Sequence, residues 1–306
     1  MTEGPGQRPD PVRRPHLGLR PGELDGRWYA KYWNPVMTSL PDDVGAALGL
    51  GPQASPLCLS LDNVGTLSDA GYQELENGYS LADDGSMHIA TLTRMPGATP
   101  AMLDWWFWWH SNETQRYKLW HPRAHLYAES TGGGADEEES YRARYVGSTS
   151  FVDEYVGSTL GELAIHFAEP AAFGFSHDRL DPDEATAVCA RVGFSRLPLD
   201  WGYFVHHVRL VNGGAEMRSR FWMGGQNVAA RGQAPPSGEF RTAAAGVTRL
   251  GDVQARAMAV HCSQEMSHLA TFLPDIFDEF GRRRQVSQPD RACLPTRGRP
   301  RGPGPR

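Results

Sequence analysis

The chain has 306 residues, 40% of them hydrophobic and 22% charged, as expected of a soluble globular protein with one large domain or a domain and an appendage. A formal net charge of −6, with basic runs confined to Arg13-Arg14 and residues 282–284, gives no reason to expect nucleic acid or a membrane surface as a partner. The four cysteines, Cys58, Cys189, Cys262 and Cys293, form no CxxC pair, which argues against a zinc ribbon, a thioredoxin-like site or a disulfide framework and makes a reducing cytoplasm the expected compartment.

Residues 1–25 are rich in Pro, Gly and Arg and are expected to be a disordered tail, with no apolar stretch of the kind a secretory signal needs. Residues 26–80 carry short aromatic and apolar pieces broken by Pro and Gly, the pattern of a small N-terminal lobe of short helices and loops. Residues 81–281 form the main domain, and the Arg- and Pro-rich segment 282–306 is again expected to be disordered. No window approaches the ~18 apolar residues of a membrane helix.

At the domain border, ENGYSLADDGSMHIATLTR reads as a hairpin around Asp-Asp-Gly. Thr99-Pro100 supplies an N-cap with proline at the first helical position, so AMLDWWFWWH is a helix. Its tryptophans read as core rather than as a cofactor box. The segments HLYAES, YRARYVGSTSFVDEYV and LGELAIHFAEP read as strands, and DPDEATAVCARVG as a short helix. YFVHHVRLV and EMRSRFWMGG are strands joined at Asn212-Gly213-Gly214. The last element, GDVQARAMAVHCSQEMSHLATFLPDIFDEF, is helical with a break or kink at Pro274. Antiparallel strands followed by one long helix indicate an α+β fold, and a curved sheet around a helix leaves a cavity between them.

Several side chains could work in such a cavity. His261 and Glu265 stand at i and i+4 on the long helix, hence on one face, and imidazole and carboxylate both ligate zinc. His125 starts a strand. Glu154 lies in FVDEYV, where apolar neighbours make a bare carboxylate costly; Asp153 faces the other way, and alternation alone does not choose between them. His206 and His207 point to opposite faces, and His206 is either a satisfied core histidine or a cavity group able to move protons. Met217, Ser219, Phe221 and Met223 share one face as cavity lining, and Tyr117 could donate a hydrogen bond to a phenolic or carbonyl oxygen.

The run DWWFWWHSNETQRYKLWHPRAH, then YVGSTSFVDEYVG, EMRSRFWMGG and HCSQEM, resembles the diacetylphloroglucinol hydrolase family, which includes phloretin hydrolases, from about Trp28 to Phe280. The resemblance implies a Bet v 1-like helix-grip fold with a smaller N-terminal portion, often dimeric. It also implies a divalent metal, typically Zn2+, that serves hydrolysis of the carbon–carbon bond between an acyl group and a polyhydroxylated ring. It places the metal on His125, Glu154, His261 and Glu265, so it selects Glu154 over Asp153, and puts Tyr117 and His206 against a small aromatic ketone. Phe221 stands where a substrate-binding tyrosine is expected, which removes a hydrogen bond. The rival reading is a non-enzymatic helix-grip module that carries an aromatic polyketide-like ligand.

Overall fold

The computed structural model describes residues 15–134, 140–231 and 251–281. The expected disorder of the C-terminal tail, most of the N-terminal tail, the acidic tip of the TGGGADEEES loop and Cys293 lie outside these residues. Ahead of the sheet come short 3-10 turns and one α-helix, α1 (Asp42–Gly49). The chain continues through β1 (Gly78–Leu81), β2 (Met87–Pro96), α2 (Pro100–His110), α3 (Thr114–Trp120), β3 (His125–Thr131) and α4 (Tyr141–Tyr145). It then adds β4 (Thr149–Val156), β5 (Thr159–Ala168), β6 (Ala185–Phe194), β7 (Leu199–Val211), β8 (Gly214–Met223) and the short β9 (Ala229–Ala230). The long helix α5 (Asp252–Ala270) and α6 (Leu273–Phe280) close the fold, with Pro274 in the first turn of α6, at the break expected there.

The strands form one antiparallel sheet in the order β1-β2-β8-β7-β6-β5-β4-β3, and β9 pairs with β7. The long helix packs on β2, β1 and β4, near both ends of the strand order. One sheet therefore curls around one helix, the α+β helix-grip arrangement expected from the sequence. No helix among the described residues is long and apolar enough to cross a membrane.

Local chemistry explains most boundaries. The Thr99 hydroxyl accepts from the Met102 amide and caps α2. Only Ala101 and Trp108 on one side of that helix are half-exposed; Trp105, Trp106, Phe107 and Trp109 are all buried, so it is core. Its one carboxylate, Asp104, accepts hydrogen bonds from the Tyr145 hydroxyl at 2.8 Å and the Thr186 hydroxyl at 2.9 Å, which offsets its burial. The β7–β8 hairpin turns through Asn212-Gly213, with Gly213 at φ +86°, a left-handed conformation that glycine adopts without strain.

Two expectations are corrected. YRARY is the helix α4, not the start of a strand: the Ser140 hydroxyl caps it by accepting from the Ala143 amide, and Tyr141 and Tyr145, one turn apart, pack on α2. The strand begins only at Thr149. DPDEATAVCARVG is not a helix but runs into β6, an interior strand between β5 and β7. Its acidic opening mimics a helix start, yet its side chains alternate between two cores. Val188, Ala190 and Val192 face the main core, whereas Ala187 and Cys189 face a second one with Val64, Leu67 and Trp222 under the N-terminal lobe. Two-sided burial and ladder pairing outweigh the local signal.

Candidate metal centre

The turn after α3 builds the first half of the site. Pro122 stops the helix, and the His125 amide reaches back to the His121 carbonyl at 2.9 Å. Helices end with carbonyls that lack intrahelical partners; here the Tyr117 carbonyl takes the His125 ring at 2.8 Å. With Nδ1 donating to that carbonyl, the His125 Nε2 lone pair faces inward, where this fully buried atom has no hydrogen-bond partner. The Tyr117 ring lies flat on the imidazole, centroids 3.6 Å apart, and its hydroxyl donates to Glu154.

The sheet builds the rest. The register sets His125 opposite Glu154, at an irregularity in the β3–β4 ladder of the kind that often accompanies sites. Glu154 shares its face with Val152 and Ser150 toward the cavity, so Glu154 and not Asp153 joins the cluster. From α5 come His261 and Glu265, one turn apart on the same helix face.

Donor atoms of His125, Glu154 and His261 lie within 4.8 Å of one another. His125 Nε2 is 3.6 Å from Glu154 Oε2 and 3.4 Å from Glu265 Oε2, and His261 Nε2 is 3.5 Å from Glu265 Oε2 and 4.0 Å from Glu154 Oε2. Ligands bound at roughly 2.0–2.2 Å in a tetrahedron stand roughly 3.3–3.6 Å apart. The charges match as well, since two carboxylates and two neutral imidazoles carry the −2 that a divalent cation neutralises. The residues present therefore fit a divalent metal.

The electrostatics show the cost of burying these groups side by side. Burial pushes the Glu265 carboxyl up against the pull of His261, with Glu154 adding to the rise. His261 is opposed by burial, yet Glu265 and Glu154 carry it up to about 9. His125 falls well below the usual histidine range, through burial and the neighbouring His121 and His261. The Tyr117 hydroxyl is driven well above the phenol range by burial and by Glu154, which keeps it protonated as a donor.

Glu154, His261 and Glu265 line a cavity whose walls are largely aromatic and aliphatic, and His125 Nε2 lies within 3.6 Å of both carboxylates. His206 lines the cavity from β7, with Nδ1 2.8 Å from the Ser219 hydroxyl and its ring stacked on Phe107; burial takes it down to about 3, so it is neutral. Phe221 lines it from β8 with its edge on His206 and brings no hydroxyl. His207 is on the opposite face, stacked on Phe175. Met223 joins Phe221 in the cavity wall, while Met217 lies in the main core.

Sequence reasoning missed His110, which lines the cavity at the end of α2 with Nδ1 2.7 Å from the Trp106 carbonyl and its ring stacked on Tyr117. Its position just after the aromatic run was the only available signal. His121 is buried and its ring stacks on His261, centroids 4.8 Å apart.

Comparison with known proteins shows which chains this one is similar to. Residues 58–278 match the family model described as DAPG hydrolase PhiG domain. A 2,4-diacetylphloroglucinol hydrolase of Pseudomonas sp is 31% identical over 266 residues, covering 83% of this chain and 88% of that protein. The phloretin hydrolase of Eubacterium ramulus is 26% identical over 255 residues, covering 82% and 89%. Among solved structures, a norcoclaurine synthase from Thalictrum flavum aligns with a TM-score of 0.32 at 13% identity, over 60% of this chain and 92% of that one.

Proposed function

The chain belongs to the DAPG hydrolase family, and from that premise we propose that it is a metal-dependent hydrolase of acylated polyhydroxyphenols, of the acylphloroglucinol or phloretin type. The observation that carries the reading is the convergence of buried His125, Glu154, His261 and Glu265 beside an aromatic cavity that the last three line. A carrier protein has no use for two buried carboxylates and two imidazoles directed at one point, and their burial is costly without a cation.

A divalent ion, zinc by the chemistry of this donor set, supplies a Lewis acid for the acyl carbonyl and brings the pKa of water toward ~7. The reaction is a retro-Claisen cleavage. The ring takes up a proton at its acyl-bearing carbon, the carbonyl carbon gains the oxygen of water, and the carbon–carbon bond breaks. Its electron pair passes into the ring as a stabilised enolate, leaving a carboxylic acid and the free phenol. Tyr117 holds Glu154 in place and presents its ring edge to the cavity. His206, neutral and held at Nδ1 by Ser219, keeps Nε2 for a phenolic oxygen and moves a proton there. Phe221 contacts the substrate through its ring face. The same reading includes a cytoplasmic homodimer.

Elemental analysis and an assay panel of acylphloroglucinols, phloretin and simple β-diketones test the proposal. Glu265→Ala should remove stoichiometric metal and turnover together. Full activity of a metal-free Glu265→Ala protein would refute it.

A further inference from the structure

Three polar side chains in the cavity wall lack a hydrogen-bond partner once the metal centre and His206 have been described: Trp120, whose ring packs against Tyr117 and His125 at the metal end, and a separate pair, Ser150 and Trp201. Ser150, on β4, and Trp201, on β7, both line the cavity and are both buried, yet the Ser150 hydroxyl and the Trp201 indole nitrogen have no hydrogen-bond partner. A buried donor left unsatisfied keeps its full desolvation cost, so this pair calls for a partner that arrives with a ligand.

The sheet is built to place them. Between β6 and β7 the pairing jumps from Gly193–Asp200 to Val192–Gly202, so Trp201 is an extra residue in a bulge, a device that re-aims a side chain. Asp200 is pinned just before it by Arg231 at 2.9 Å. The next position is tight: a Cβ on Gly202 would meet the Trp222 carbonyl at 3.0 Å and Met223 Cγ at 3.3 Å, closer than ordinary contact. Ser150, Ile165, Val192 and Gly202 lie on one cross-strand row, so Ser150 and the bulge face the same depth of the cavity.

That depth is remote from the metal centre. Ser150 precedes Glu154 by four residues of regular strand, about 13 Å at ~3.3 Å per residue. An oxygen across a single benzene ring from an acyl group lies only about half that far from the carbonyl oxygen. An acyl arm with a second ring covers the distance. Between the two ends the wall is apolar, with Val152, Leu163 and Phe167 positioned to cover such an arm.

We infer that Ser150 and Trp201 form a second polar subsite, which takes oxygen substituents on the far ring of a two-ring acylphenol. The ligand's identity rests on the hydrolase reading; the subsite rests on the two unsatisfied groups and the bulge.

The test is calorimetric titration of the metal-replete full chain with phloretin and with the same compound lacking the hydroxyl on its second ring. The wild type should prefer phloretin by about 10-fold, and Ser150→Ala and Trp201→Phe should each reduce that ratio by about 3- to 10-fold. Ser150→Ala removes one oxygen at nearly constant shape, so it remains informative should the tryptophan variant fold poorly. No wild-type preference, or variants that weaken both compounds equally, overturns the subsite and makes these residues packing groups. A preserved binding preference with no turnover of any acylphenol overturns the hydrolase reading and leaves the subsite standing.

Discussion

Replacing Tyr117 by Phe separates two roles that this residue could play. The hydroxyl donates to the Glu154 carboxylate, while the ring stacks on His125 and the backbone carbonyl orients that histidine. Phenylalanine keeps the ring and the carbonyl and deletes only the hydroxyl, so neither a cavity nor a misplaced His125 results. A hydrogen bond to a charged group contributes about 1.5–3 kcal/mol, and loss of such support to a metal ligand weakens metal binding roughly 10- to 100-fold. Tyr117→Phe should therefore lose zinc affinity by that factor in competition against a chromophoric chelator, with its Tm within a few degrees of wild type. Zinc affinity within about 2-fold of wild type, together with a raised KM, would refute the reasoning and leave Tyr117 as a substrate contact alone.

Ser219→Ala removes the hydroxyl that holds His206 Nδ1; kcat should fall about 10-fold with a changed pH profile, and Ser219→Thr should restore most of it. His88 is buried with both ring nitrogens unpartnered, and burial lowers it to about 3. A depressed histidine binds its proton more readily in the unfolded chain, so its contribution is lost as pH falls below the unfolded value near 6.5. His88→Leu should therefore reduce the stability lost between pH 7 and pH 5 by about 2 kcal/mol, read from urea midpoints. Trp106→Ala, at a fully buried position of helix α2, should cost about 3–5 kcal/mol in urea unfolding. A loss below ~1 kcal/mol would contradict the helix's part in the core.

The legible parts of the sequence were those where chemistry is local. The Thr99-Pro100 cap, the Asn212-Gly213 turn and the break at Pro274 depend on a few neighbouring residues, and each lies where local rules put it. The spacing of His261 and Glu265 guarantees a shared helix face whatever packs against it. The aromatic run was dense enough to mark its helix as buried.

Pairing at long range decided the remainder. Alternation set Asp153 and Glu154 on opposite faces, but only the His125–Glu154 register and the closing of the sheet over α5 turned Glu154 toward the histidines. The acidic opening of DPDEATAVCARVG favours a helix locally, and it gave way to two neighbouring strands whose ladders and cores are absent from any local window. His110 and the Trp201 bulge were invisible for the same reason, since their significance lies in groups distant in sequence. Caps, turns and helix faces are thus properties of the sequence by itself. The candidate metal centre belongs to the tertiary structure, because its donors come from β3, β4 and α5, and only packing brings those elements to one point.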